Sequence, residues 1–152
     1  MLNPRTIIRI LGIILIIEGV FMWFAIPVAL IFREHDILSF LVSGGITSAI
    51  GLLAYLTNWK SDLTLNRRDG YLIVTGGWLL FSLFGTLPFL LTGSIPSFTD
   101  AFFETISGFT TTGASILNNI EELSHGVLFW RSLIQWLGGM GIILLTLILL
   151  PF

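Results

Sequence analysis

Four consecutive residues, Thr110 to Gly113, combine three hydroxyl side chains with a glycine in a stretch flanked by long apolar runs. Non-helical backbone at membrane depth leaves carbonyl oxygens without hydrogen-bond partners, which is costly unless they line an aqueous path or hold an ion. Extended residues whose carbonyl oxygens face a common axis can replace the hydration shell of a large monovalent cation such as potassium. The backbone carbonyls of Thr110, Thr111, Thr112 and Gly113 are therefore candidate potassium ligands.

Gly113 carries the geometric part of this prediction. Aligned carbonyls often require a positive φ, which is costly for a residue with a Cβ, so we predict a left-handed backbone at this glycine. The segment contains no carboxylate, which argues against an acidic ring of the calcium type. The predicted selective element is backbone oxygen.

A short helix is predicted directly before this segment, over about residues 99–109. Ser97 and Asp100 match an N-terminal capping pattern. At roughly 1.5 Å per residue the helix would be about 15 Å long, half the hydrocarbon thickness, so residues 92–119 are predicted to be re-entrant rather than spanning. The carboxyl end near Phe109 would direct about half a negative charge at the ion path, which favours cations.

The elements that position this loop are membrane spans. Apolar residues make up 55% of the 152 residues and charged residues 11%, too little polar surface for a water-soluble domain of this size. The few charges form short clusters, which excludes a nucleic-acid-binding face, and without cysteine there is no disulfide or thiolate metal site. Runs long enough to cross a bilayer cover 7–32, 37–56, 71–91 and 127–152.

The basic residues predict the orientation of these spans. One side of the four-span arrangement carries Arg5, Arg9, Lys60, Arg67 and Arg68, against Arg33 and Arg131 on the other. Basic residues concentrate on the cytoplasmic side of membranes, so the amino terminus is predicted to be cytoplasmic. The re-entrant segment then enters from the outside and returns there.

Several single residues allow two interpretations. Glu104 could orient the loop from behind or bond to backbone or water at the outer rim, and Arg131 could be an interfacial residue or an electrostatic element near the pore. Glu18, near the middle of the first span, is expected to make a buried hydrogen bond rather than to line an ion path. Glycines in 138–141 favour close helix packing over bending.

Two stretches resemble one known family. Residues 100–115, DAFFETISGFTTTGAS, resemble the first pore loop of Trk-type potassium transporters, and residues 129–143, FWRSLIQWLGGMGII, resemble the inner helix that follows it. The resemblance implies an all-α integral membrane protein, with two peripheral transmembrane helices in 1–70 and one helix–re-entrant pore loop–helix unit of a pseudo-fourfold potassium channel in 71–152. It places the filter at 110–114.

The family resemblance also implies partners that these residues do not identify. Relatives join four such units in one polypeptide, form homodimers in the bacterial inner membrane and are gated by a cytosolic nucleotide-binding ring subunit. The apolar end of the chain suggests the amino-terminal piece of a longer protein. Potassium is the expected cargo, driven by membrane potential or a coupled gradient. The rival interpretation is a non-conducting membrane scaffold with a re-entrant packing loop; an enzyme is not expected, because no nucleophile–base pair or metal cluster stands out.

Overall fold

The computed structural model describes residues 3–59 and 66–149, and every regular element in these two ranges is helical. The predicted all-α class is therefore confirmed, while Lys60 lies outside the described residues. The helices are α1 (Pro4–Trp23), α2 (Ala25–Ile31), α3 (Ile37–Thr57), α4 (Arg67–Phe84), α5 (Leu87–Leu91), α6 (Phe98–Phe109), a 3₁₀ turn (Ile120–Glu122) and α7 (His125–Leu149).

Four helical stretches are long and apolar enough to cross a membrane, as predicted: Pro4–Ile31, Ile37–Thr57, Arg68–Leu91 and His125–Ile143. The first and third of these are each broken once, four residues before a proline. Pro27 and Pro88 lack an N–H and clash with the carbonyl of residue i−4. Accordingly α1 ends at Trp23 and α4 ends at Phe84.

The break in the third span brings α7 into contact with α4 and α5. Departure from regular helix frees the carbonyl of Gly85, and the indole nitrogen of Trp130 donates to it at 3.1 Å. Trp130 is completely buried. An unsatisfied carbonyl in a dry interior is costly, so this bond fixes where α7 lies against the kink.

Helices α1 and α3 form a close pair through small residues. A Cβ built on Gly12 would lie 2.6 Å from the carbonyl oxygen of Gly51, and one built on Gly44 would lie 2.7 Å from that of Gly19. In lipid, helices associate by packing rather than by the hydrophobic effect, and glycines allow their backbones to touch. Larger side chains at these positions would push the two helices apart.

Glu18 lies in this helix pair and is fully buried. Neither carboxylate oxygen has a hydrogen-bond partner among the described residues, so the predicted buried hydrogen bond is absent. Intrahelical bonds to backbone carbonyls satisfy the nearby hydroxyls of Ser43 and Thr47. They therefore supply no donor to the carboxylate.

The loop between α2 and α3 is fastened to the start of α7 by Glu34. Its carboxylate accepts hydrogen bonds from the backbone N–H groups of His125, at 2.6 Å, and Gly126, at 3.0 Å, and lies 2.8 Å from His125 Nδ1. Partial burial raises the pKa of the Glu34 carboxyl, but the bonds from Gly126 and His125 outweigh it and hold this pKa below its ordinary value. Glu34 thus satisfies N–H groups that begin α7 from a different element.

Candidate ion-binding segment

Helix α6 is short, and its buried residues begin at Ala101, after an exposed first turn. It begins at Phe98, one residue before the predicted start, and the Ser97 hydroxyl accepts the N–H of Asp100 at 3.4 Å. Its last residue, Phe109, is 1% exposed and stacks on Phe81 with ring centroids 5.1 Å apart. The end of α6 is thereby held at a defined depth between α4 and α7.

After Phe109 the chain leaves the helix through two left-handed residues. Gly113 has φ +76°, which confirms the backbone predicted for it, and Thr111 has φ +55°. A left-handed conformation costs a residue with a Cβ about 1–2 kcal/mol. The sequence did not predict the positive φ of Thr111, because threonine has no preference for the left-handed region.

The N–H groups of this segment point back to the end of α6. Those of Thr110, Thr111 and Thr112 donate to the carbonyls of Ile106, Gly108 and Ser107 at 2.9, 3.0 and 3.0 Å. The hydroxyls of Thr110 and Thr112 lie 2.8 Å apart. The N–H groups of the three threonines are therefore satisfied by the helix that precedes them.

The carbonyls of the same residues have no such partners. Within the described parts of the chain, no hydrogen bond reaches the carbonyl oxygens of the four predicted ligands, Thr110, Thr111, Thr112 and Gly113. All four residues are exposed. Residues with satisfied donors and unsatisfied acceptors on an open surface can bind a cation through backbone oxygen.

The carbonyl of Ala114 behaves differently from these four. The hydroxyl of Ser107 donates to it at 2.6 Å, so it is directed back to α6. Ala114 stands at the end of the predicted filter, 110–114, and is the one member of that range whose carbonyl is hydrogen-bonded.

Glu104 binds the residues that directly follow the segment. The carboxylate, 4% exposed, accepts the Ser115 hydroxyl at 3.0 Å and the N–H of Ile116 at 3.1 Å. Arg131 Nε donates to the same carboxylate at 2.6 Å. Glu104 thus bonds to backbone, as one of its two interpretations expected, and Arg131 of α7 is its ion-pair partner.

Comparison with known proteins shows the family to which the chain belongs. Residues 37–152 match the family model described as "TrkH: Cation transport protein". The chain belongs to this family. It is 43% identical over 151 residues to the Trk system potassium uptake protein TrkH of Halomonas elongata, covering 99% of this chain and 31% of that protein. The corresponding protein of Escherichia coli strain K12 is 40% identical over 148 residues, covering 97% and 31%.

A solved TrkH-family structure has the same fold. The crystal structure of the potassium transporter TrkH from Vibrio parahaemolyticus matches with a TM-score of 0.92 at 38% identity, over 99% of this chain and 32% of that one. The chain thus spans about a third of the length of the relatives it matches. Family membership and four spanning helices make it a multi-pass membrane protein.

In this TrkH-family chain, α7 packs directly on the segment. A Cβ at Gly138 would overlap the carbonyl of Phe109, and one at Gly139 would lie 3.8 Å from the Thr111 methyl. Gly141 faces Trp78. These approaches favour the close-packing interpretation of the glycines, because they allow α7 to touch the end of α6.

Proposed function

We propose that this chain contributes one quarter of a potassium-selective pore. Four consecutive carbonyl oxygens without hydrogen-bond partners among the described residues carry the proposal, and the N–H groups of the three threonines among these residues bond to α6. A potassium ion sheds water when carbonyl oxygens replace its hydration shell. Thr110, Thr111, Thr112 and Gly113 supply this chain's share of those oxygens, and potassium is the cargo rather than a resident cofactor.

The other three quarters come from similar units of a longer polypeptide. One loop can surround an ion on one side only, and the relatives, about three times as long, are named potassium uptake proteins. In this proposal residues 1–70 form a peripheral two-helix domain and residues 71–152 form the first helix–pore loop–helix unit. Uptake is driven by the membrane potential or by a coupled ion gradient.

The proposal includes an orientation and partners. The amino terminus lies in the cytoplasm of a bacterial cell, and the pore loop opens to the outside across the inner membrane. Basic Arg5, Arg9 and Arg68 at one end of the spans, against Arg33 and Arg131 at the other, support this orientation. A homodimer and a cytosolic nucleotide-binding ring subunit follow from the family resemblance.

Ion density at the carbonyls tests the proposal. The full-length polypeptide that carries this chain is crystallised or imaged in rubidium or caesium and, as the matched control, in sodium. We expect heavy-ion density within coordination distance of the Thr111 and Thr112 carbonyls in the first condition. Absence of density there, in a preparation that also fails to pass rubidium, would favour the non-conducting scaffold.

A further inference from the structure

The proposed carbonyl set ends abruptly between Gly113 and Ala114. The carbonyls from Thr110 to Gly113 accept no hydrogen bond from the described residues, whereas that of Ala114 accepts the Ser107 hydroxyl at 2.6 Å. All of these carbonyls are ordinary backbone amide groups, so their covalent structure does not explain the difference. The difference is made by one side chain on α6.

Ser107 holds the chain on both sides of Gly113. Its backbone carbonyl accepts the N–H of Thr112 at 3.0 Å, and its hydroxyl donates to the carbonyl of Ala114. Gly113 itself has no side chain, and even a Cβ built on it would meet nothing within 4 Å. Side-chain packing therefore does not set the two peptide planes that flank this glycine. The bonds to Ser107 hold the next plane on each side, Thr111–Thr112 and Ala114–Ser115, and so limit how far the two planes between them can turn.

The surroundings of the Ser107 hydroxyl leave little room for water. Ser107 is 5% exposed. The space between it, Gly113, Ala114 and Gln135 of α7 is a cavity of about 10 Å³. Such a volume is at the lower limit for holding one water molecule, about 10–15 Å³.

We infer that Ser107 is a positioning residue for ion selectivity: its hydroxyl ends the ion-binding carbonyl set at Gly113 and fixes the Ala114–Ser115 peptide plane, which limits the rotation of the Gly113–Ala114 plane before it. This inference rests on the proposed function. Without the hydroxyl, the Ala114 carbonyl is free to rotate, and the Gly113 carbonyl loses its fixed direction. A looser set of oxygens contracts more easily around sodium, so discrimination falls.

The test compares three variants of the full-length polypeptide that carries this chain: Ser107→Ala, Ser107→Thr and Ser82→Ala. Ser82 is a matched control, because it is also a buried serine of the pore unit and its hydroxyl bonds only to the Trp78 carbonyl four residues earlier in α4. The readout is the potassium-to-sodium permeability ratio from reversal potentials in proteoliposomes, together with protein yield and melting temperature.

Loss of one hydrogen bond corresponds to about a two- to tenfold fall in the permeability ratio. We expect this fall for Ser107→Ala, an unchanged ratio for Ser82→Ala, and at least partial restoration in Ser107→Thr, which keeps the hydroxyl. A purely structural role would lower yield and melting temperature without changing the ratio.

The outcomes separate this inference from the proposed function. An unchanged ratio in Ser107→Ala, in a parent protein that selects potassium, overturns the role of Ser107 and leaves the pore intact. A parent protein without selective flux overturns the pore, and the inference fails with it.

Discussion

Substitution of Gly113 by serine is the most direct perturbation of the proposed filter. Gly113 has φ +76°, and a Cβ at this position meets no atom within 4 Å. Serine therefore fits sterically, and its cost is the backbone strain alone, about 1–2 kcal/mol. Because no packing holds the new side chain, the backbone is free to relieve this strain by rotation. Rotation turns the neighbouring carbonyls away from the ion.

The expected result is a loss of selectivity without a loss of protein. A strain of this size corresponds to about a tenfold fall in the potassium-to-sodium permeability ratio, since roughly 1.4 kcal/mol changes a ratio tenfold. Membrane insertion should be normal, because Gly113 lies in a loop and not in a span. Reversal potentials in proteoliposomes containing the full-length polypeptide measure the ratio, and immunoblots measure the protein.

The chain offers a closely matched control. Gly93, in the connection between α5 and α6, has φ +73° and equally open surroundings, so Gly93→Ser introduces the same strain with the same side chain away from the carbonyls. We expect its permeability ratio to equal that of the parent. If Gly113→Ser also keeps the parent ratio at normal protein levels, the segment is not the selectivity filter. If both variants lose selectivity, strain acts on the fold as a whole and the local argument is wrong.

Three further predictions concern the surroundings of the filter. Glu104→Ala leaves Arg131 without its partner and is expected to lower the free energy of unfolding by about 2–4 kcal/mol, seen as a lower melting temperature in detergent. An unchanged melting temperature would contradict a stabilising role for the Glu104–Arg131 ion pair. The Glu34 pKa lies below its ordinary value, so its stabilising contribution is complete at neutral pH and is lost as pH falls below about 4.5 through the lowered pKa. Glu34→Gln should therefore lose part of the pH dependence of thermal unfolding in that acidic window, and equal dependence in both proteins would refute this. The 152-residue chain alone should pass no selective potassium current in liposomes, and selective flux without a cross-linked fourfold assembly would overturn the quarter-pore proposal.

The spans and the short helix could be predicted because they follow local rules. Apolar runs of sufficient length mark the four spanning stretches, and the Ser97 cap with the length of the apolar face placed α6 to within one residue. The left-handed backbone of Gly113 was predictable because aligned carbonyls often need it and glycine tolerates it. The helix breaks before Pro27 and Pro88 obey an equally local rule.

The contacts that support the filter could not be predicted in the same way. Glu104 and Arg131 are 27 residues apart, and Glu34 meets His125 across 91 residues. No periodicity relates such positions, so a single sequence offers either partner several interpretations. Ser107 is closer to Ala114, but its bond depends on the chain reversing at Thr111, whose positive φ is imposed by the surrounding fold.

Helix α6 satisfies donors of the proposed ion site and leaves its acceptors. It accepts the N–H groups of Thr110, Thr111 and Thr112, and the Ser107 hydroxyl bonds to the first carbonyl beyond Gly113. Four bare carbonyls remain, which are costly in a dry interior and favourable beside a cation. In the proposed pore the cation would therefore stabilise the segment that selects it. Selectivity would then depend on how firmly the backbone is held around Gly113, and for this reason we expect the hydroxyl of Ser107, on the helix behind it, to influence the permeability ratio.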